Sequence, residues 1–379
     1  SLSESQENDV LNIVFLLFES NGGDYIKTII CNSNNITPDE HSSHIKYVTT
    51  KLNQGDFDIV ILANANAIMQ SLSLEGLSKY EALSLLEVTL PSDTKWATDG
   101  SMLFPMWGNI GNITIDDNLS ATGVSGIKLT RMTGRIDVIL STQAQSAFKL
   151  KTVRVYNYNT KGMVVPDILN SQKWDADSEQ AIGVSLPANP SKANDPTPEE
   201  HALVYSVMTT PDVSCEAEIY LLEAESGSNT DFSNNTCLVV GGKYSDDGGV
   251  TWEDYYYRVD FSMITAGNTS YLPILRNHQY RINITDVTGS GFTDPDEAFR
   301  SLPVNIKAEV IGWHNSGMEE IIDDGQYLLK VSQGEFSLDG KEYTELDNDN
   351  ILSVITTNPS GWKIEKITGL NKSVLLIAT

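Results

Sequence analysis

Basic residues are scarce in this chain. It has 25 Lys and Arg against 51 Asp and Glu among 379 residues, a formal net charge of −26. Because so acidic a surface repels phosphate backbones, we do not expect nucleic-acid binding. No run of about 18 apolar residues occurs, so no transmembrane helix is predicted. No signal peptide occurs either, and the chain begins at Ser1. We interpret it as a processed form whose leader could have carried a targeting signal.

Cysteine and histidine are also few. The three cysteines, Cys31, Cys215 and Cys237, cannot form a complete disulfide framework. A Cys215–Cys237 pair across a hairpin and three buried thiols both remain open. The five histidines show no metal-ligand spacing, since His41 and His44 lie in a Ser-rich loop without a partner motif. Nucleophile-elbow, Walker A and dinucleotide motifs are missing. We therefore predict no enzymatic activity, no catalytic residue, no cofactor and no bound metal.

One short motif, Ser245–Trp252 (SDDGGVTW), fits the Asp-box hairpin of sialidase-like propellers. In those proteins several copies close the blades and do not catalyse. Here there is one copy and no propeller period, so a glycosidase is a minor hypothesis. The acids at 246, 247 and 254 lack the alternating ligands of an EF-hand loop, which favours an ordinary acidic turn over a weak Ca²⁺ site.

The remaining pattern is typical of β-structure. Turn residues recur roughly every 8–15 positions between short runs rich in Val, Ile, Tyr and Thr, the rhythm of antiparallel β-sandwiches. The almost wholly apolar run Asp9–Glu19 predicts a strand buried on both faces, which needs neighbours on both edges. The one good helix is predicted within 71–88, with Ser78 as its cap. Trp96 and Trp107, in the loop that follows, are expected to anchor that loop to the core.

The stretch from 127 to 140 (IKLTRMTGRIDVIL) predicts a strand that carries Arg131 and Arg135. These arginines have two interpretations. Either they lie on the outer face and pair with some of the many acids, or they belong to a junction strand that ties two halves of the molecule together.

Several motifs, in order, resemble the fimbrillins of Bacteroidales, the subunits of type V pili. The resemblance covers roughly the first four-fifths of the chain. It rests on these positions: Leu52, Gly55, Phe57, Ala63 and Asn64; Arg131, Gly134, Arg135 and Ile136; Tyr156, Asn157, Gly162 and Pro166; Pro273, Arg276, Asn277, Tyr280, Gly289 and Gly291; and Ala308, Val310 and Trp313.

The resemblance implies an all-β protein with one or two short helices in its N-terminal domain. Two consecutive Greek-key-like β-sandwiches are expected at 1–162 and 163–325, and a small β-extension at 326–379. It also implies export as a lipoprotein, display on the outer membrane or in a pilus, and processing by a trypsin-like protease. Assembly with other pilus subunits would proceed by donor-strand exchange.

Two departures from the family pattern refine this expectation. The family's first strand and lipidated Cys are missing, so we predict that the strand after Asp9 lines an open acceptor groove through Val10, Ile13, Phe15 and Leu17. The C-terminal extension looks like a BACON-type Ig-like module, which favours an accessory or tip subunit that binds a host glycan or protein. Alternatively, the extension is itself the donor region. A surface carbohydrate-binding lipoprotein that uses Trp96, Trp107 and Trp252 is the second hypothesis.

Overall fold

The fold is built almost entirely from β-strands, as the sequence predicts. The computed structural model describes residues 1–40, 45–99, 101–193, 201–208, 210–227, 232–265 and 268–314, and short strands between 320 and 378. The described helices are α1 (Glu4–Glu7), α2 (Asn66–Met69), α3 (Lys79–Ser84), α4 (Asp117–Thr122), α5 (Thr142–Gln145) and α6 (Pro295–Arg300), with a 3₁₀ turn at Ser33–Asn35. There are more helices than predicted because each has only about one turn, too short for helical periodicity to show.

The strands of the first half are β1 (Asn12–Glu19), β2 (Tyr25–Asn32), β3 (Ile36–Pro38), β4 (Lys46–Val48), β5 (Gly55–Ala63), β6 (Glu87–Thr89), β7 (Met106–Ile115), β8 (Thr130–Arg131), β9 (Thr133–Leu140), β10 (Phe148–Tyr156), β11 (Lys161–Met163), β12 (Trp174–Asp175) and β13 (Gln180–Ala181). Those of the second half are β14 (Leu203–Ser206), β15 (Ser214–Leu222), β16 (Cys237–Tyr244), β17 (Glu253–Asp260), β18 (Ser262–Thr265), β19 (Asn268–Tyr271), β20 (His278–Val287), β21 (Ile306–His314), β22 (Glu320–Asp323), β23 (Leu328–Val331), β24 (Val354–Thr356), β25 (Trp362–Thr368) and β26 (Ser373–Ala378).

A five-stranded antiparallel sheet forms the first core, in the order β2-β1-β5-β7-β8. β1 pairs with β2 on one edge and with β5 on the other. Its side chains alternate between two covered faces, which is why its sequence is an unbroken apolar run. The predicted cap of α3 is confirmed: Ser78 and Glu81 form a capping box. Next to it, buried Lys79 donates to buried Asp58 at 2.7 Å.

Two four-stranded sheets enclose the second core. Their orders are β14-β10-β16-β17 and β15-β9-β20-β21, and buried side chains of both contribute to one hydrophobic cluster, as in a β-sandwich. β9 runs parallel to β20, whereas the other pairs in these sheets are antiparallel. A parallel pair needs a long crossover between its strands, and here more than a hundred residues separate them.

Chain order and core membership do not coincide. β9 and β10 lie inside the predicted N-terminal domain 1–162, yet their partners are β14, β15, β16 and β20. Conversely, Val164, Val165 and Trp174 come from the predicted second domain and pack in the first core. Of the extension at 326–379, β23 to β26 are described, with β22-β23-β24 and β25-β26 as small sheets. The three domain ranges stay predictions.

Candidate subunit interface and the seam between the two cores

The four residues predicted to line a groove lie on or next to β1. Ile13, Phe15 and Leu17 are buried in the first core, and Val10 is half-buried against it. Both backbone edges of β1 are already hydrogen-bonded, to β2 and to β5. An incoming strand therefore has no backbone edge to pair with at β1 itself.

The edge strands of this sheet are β2 and the two-residue β8, and β2 is the longer. At the start of β2 its outer side is occupied, because the Tyr25 N–H donates to the Leu77 carbonyl at 2.8 Å. Beyond Tyr25 no described strand pairs with the outer side, and its backbone N–H and C=O groups are available to another chain. Two of its isoleucines are also unusually open for an apolar strand: Ile26 is 42% exposed and Ile30 is 50% exposed. The periodicity of the sequence identified the buried strand β1 and did not identify this edge, because β2 mixes polar and apolar residues on both faces.

A groove of about 240 Å³ lies beside the exposed edge. β2 contributes Tyr25, Thr28 and Ile30 to its wall, and the Tyr25 hydroxyl bonds the Thr28 hydroxyl at 2.8 Å. The facing wall comes from α2 and the loop that follows it: Met69, Gln70, Leu72 and Leu74. An exposed strand edge next to an apolar groove has the chemistry that accepts an added strand, since the backbone provides affinity and the groove holds alternate side chains.

The two predicted arginines lie where the first core meets the sandwich, a boundary that we call the seam. Arg131 ends β8 of the first sheet and Arg135 belongs to β9 of the sandwich, so the strand passes from one sheet to the other. Arg131 Nη1 donates to Asn277 Oδ1 at 3.4 Å, and Arg135 Nη1 donates to Glu7 Oε1 at 2.7 Å. This geometry supports the junction-strand interpretation.

Asp137 lies next to Arg135 at the seam and accepts hydrogen bonds from three groups. Its carboxylate accepts from Arg135 Nε at 3.0 Å, from the backbone N–H of Ala217 at 2.8 Å and from the Gln279 side chain. Burial alone would lower the pKa of Arg135, but the negative charges of Asp137 and Glu7 raise it, so this guanidinium stays charged. Sequence reasoning missed Glu7 and Asp137 because acids are abundant and nothing local distinguishes these two.

A second buried charge pair lies close to the seam. Arg276 Nη2 donates to Glu223 Oε2 at 2.7 Å, and both side chains are almost completely buried. The same guanidinium donates to the carbonyls of Val164 at 2.7 Å and Met163 at 2.8 Å. The pair thus ties the chain segment at 163–164 to the loop before β20.

Three tryptophans noted in the sequence, Trp313, Trp96 and Trp107, have defined positions in the fold. Trp313 lies in β21, where its backbone pairs with Gln279 of β20. Trp96 and Trp107 are buried as predicted, Trp96 stacked on Phe104 and Trp107 packed edge-on against Trp174. Neither offers an exposed ring to a sugar. The predicted loop is wrong for Trp107, which lies in β7 and pairs with Leu62 of β5.

The Asp-box motif forms the turn between β16 and β17. The carboxylate of Asp247 accepts from the N–H groups of Val250 and Thr251 and from the Ser245 hydroxyl. These bonds, that of Thr251 foremost, hold the pKa of Asp247 well below its ordinary value. Trp252 donates to the Gly249 carbonyl, and Lys149 lies over its ring. The motif is a self-contained turn.

The structure resolves the question of the cysteines. All three are free thiols and all are buried. Burial raises the pKa values of Cys215 and Cys237 to about 12. Within the described ranges, no three His, Cys, Asp or Glu side chains are arranged to hold a metal ion. His41 and His44 lie outside the described residues. No helix in the described part is long and apolar enough to cross a membrane.

Comparisons with solved structures find similar chains. The tip fimbrial protein Mfa3 from Porphyromonas gingivalis, with a C-terminal truncation, is 17% identical, with 82% of this chain and 97% of that chain covered and a TM-score of 0.44. A putative cell adhesion protein from Parabacteroides distasonis is also 17% identical, with 83% and 91% covered and a TM-score of 0.43. The fimbrial anchor protein Mfa2 from Porphyromonas gingivalis is 12% identical, with 81% and 90% covered and a TM-score of 0.36.

No curated protein matches the chain. One protein-family model does, and its match runs from residue 3 to residue 314. That range contains both cores, the exposed edge of β2 and the seam between the cores. The chain therefore belongs to the family of fimbrillin-A associated anchor proteins Mfa1 and Mfa2.

Proposed function

We propose that this protein is a non-enzymatic subunit of a type V pilus, in an accessory or tip position, that assembles by strand exchange and mediates adhesion. The observation that supports this most directly is the unpaired edge of β2 beside an apolar groove, in a member of a fimbrial family. An unpaired edge templates another chain, and contacts of this kind between unlike surfaces extend into filaments when they do not close.

The acceptor site in this proposal is the β2 edge. A strand added there would gain main-chain hydrogen bonds and would cover Ile26 and Ile30. Completing the burial of each half-exposed isoleucine contributes about 1 kcal/mol. Ile13, Phe15 and Leu17, together with Val10, would support the site from the core one strand away.

The rest of the proposal concerns processing and the C-terminal region. Export as a lipoprotein to the outer membrane and maturation by a trypsin-like protease follow from the resemblance. A division into two sandwich domains and an extension at 326–379 also belongs to the proposal. The extension is either an Ig-like module that would favour a terminal position in the pilus, or the donor for the next subunit. Its host ligand would be a glycan or a protein.

A peptide-binding experiment tests the acceptor site. The protein is mixed with peptides from the C-terminal ends of partner fimbrillins and with a peptide of its own residues 362–379. The melting temperature is then recorded against peptide concentration. A peptide that binds only the folded protein raises the melting temperature as its concentration rises, by about 2.7 kcal/mol of stability at a hundredfold excess over Kd.

Variants locate the site. Ile30→Asp puts a charge beside the groove and should abolish the peptide-dependent rise. Ile45→Asp changes an isoleucine of nearly equal exposure outside β2 and should leave the rise intact. If no peptide shifts the melting temperature, or if both variants respond like the unmodified protein, the β2 edge is not an acceptor. A response to the 362–379 peptide alone would favour the donor interpretation of the extension.

A further inference from the structure

The N-terminal segment before β1 is attached to both cores. At its start, the backbone N–H of Leu2 donates to the carbonyl of Ala217 in β15 at 3.0 Å, while the Leu2 side chain is buried in the first core. At its end, Asn64, which follows β5, donates to the Asp9 carbonyl at 2.8 Å and accepts from the Leu11 N–H at 3.0 Å. The segment therefore runs from a strand of the sandwich to a strand of the first sheet.

Glu7 lies within this segment and contacts strands of both cores. Its side chain is only 5% exposed. Glu7 Oε1 accepts from Arg135 Nη1 at 2.7 Å and from the Tyr220 hydroxyl at 2.6 Å, both on strands of the sandwich. The carbonyl of the same residue accepts from Arg131 Nε, on β8 of the first sheet, at 3.1 Å.

These contacts form a chain of interactions across the seam. Tyr220 packs against Phe104 of the first core with ring centroids 4.7 Å apart, and Arg131 also bonds the side chain of Asn8. A buried carboxylate that accepts charge-assisted hydrogen bonds is strongly held, and its loss leaves a guanidinium with one partner fewer.

We propose that Leu2–Asn8 act as a strap that holds the two cores in one orientation, and that the Glu7 carboxylate closes it. The chain itself crosses the seam between Arg131 and Thr133, where β8 leads into β9, and we call this stretch the crossing. The strap is a second, non-covalent connection across the same seam. Opening the strap would loosen that crossing strand. This inference concerns the geometry of the single subunit and does not depend on strand exchange.

Trypsin provides a direct probe of the crossing strand. Residues 1–26 contain no Lys or Arg, so trypsin cannot cut the strap itself. The peptide bond after Arg131 lies in the crossing, and the Arg131 side chain is held by the Glu7 carbonyl of the strap. Lys128, three residues earlier, has a 67% exposed side chain and provides a reference cleavage site. The ratio of cleavage after Arg131 to cleavage after Lys128, read by mass spectrometry from the full chain, reports opening of the crossing against an internal reference.

Three variants complete the test. Glu7→Gln keeps the shape of the side chain but removes its charge, and should raise the cleavage ratio at least about tenfold, since breaking a buried ion pair costs more than a tenfold change in an equilibrium. Tyr220→Phe removes one hydrogen bond and should raise the ratio about threefold. Asp9→Asn, the control, removes an equal charge from an exposed side chain of the same segment and should not change the ratio.

Small-angle X-ray scattering gives a second readout. Glu7→Gln should increase the maximum dimension of the particle, because the cores can separate, while Asp9→Asn should not. The strap proposal is wrong if Glu7→Gln lowers the melting temperature but leaves both the cleavage ratio and the scattering curve like those of Asp9→Asn. If Glu7→Gln does not fold, Tyr220→Phe decides: an unchanged ratio in that variant overturns the proposal.

Discussion

Replacing Glu223 by Gln should be among the most destabilising conservative changes in this protein. The side chains of Glu223 and Arg276 are 1% and 0% exposed, so solvent cannot screen the charge that remains. Arg276 Nε has no hydrogen-bond partner among the described residues, and the other donors point at Glu223 and two carbonyls. Glutamine would leave a buried guanidinium with neutral acceptors only.

The expected cost follows from the burial. Removing one partner of a buried ion pair typically costs 3–5 kcal/mol, because the other charge stays in a medium of low polarity. An exposed pair contributes at most about 1 kcal/mol. Lys243 and Asp254 form such a pair across β16 and β17, at 3.3 Å, with side chains 41% and 67% exposed. Asp254→Asn is therefore the matched control.

Urea unfolding followed by tryptophan fluorescence measures both variants. With a urea dependence of about 3 kcal/mol per molar, Glu223→Gln should lower the midpoint by roughly 1 M or more, and Asp254→Asn by less than about 0.3 M. The double variant Glu223→Leu with Arg276→Met should be less destabilised than the sum of its single changes, since no uncompensated charge remains. Equal midpoints for Glu223→Gln and Asp254→Asn would refute this reasoning.

Three further outcomes can be checked. Asp247→Ala should lower the melting temperature at neutral pH, because folding depresses the pKa of the Asp247 carboxyl and so favours the folded state. This contribution is complete above the unfolded pKa of about 4 and is lost progressively as the pH falls from there through the lower folded pKa, so the melting temperatures of the variant and the unmodified protein should converge over that interval. The three buried thiols should react with a thiol reagent at pH 8 only after denaturation, with three equivalents found without added reductant, whereas one equivalent would indicate a disulfide. Gly242→Ala should lower the free energy of unfolding in urea by about 2–3 kcal/mol, because the added Cβ would lie 2.1 Å from the Lys149 carbonyl oxygen of the paired strand. A loss smaller than that of Asp254→Asn would mean that β10 and β16 separate easily at this point.

Local pattern was sufficient for much of this protein. The apolar run of β1 predicts a strand covered on both faces, and the structure confirms it, because side-chain alternation and burial are properties of a single strand. The Ser78 cap is confirmed for the same reason: a capping box closes within four residues. The all-β class and the resemblance to fimbrillins also follow from short motifs and their order, and the family match confirms that resemblance.

Only the tertiary structure decided which edge is open and what the arginines contact. Arg135 meets Glu7 across 128 positions of sequence and Arg276 meets Glu223 across 53, in a chain with 51 candidate acids. β9 joins the second core because its two backbone edges pair with β15 and β20, strands that arrive much later in the chain. Such pairings depend on which distant surfaces can be buried together, and periodicity within one segment carries no information about that choice.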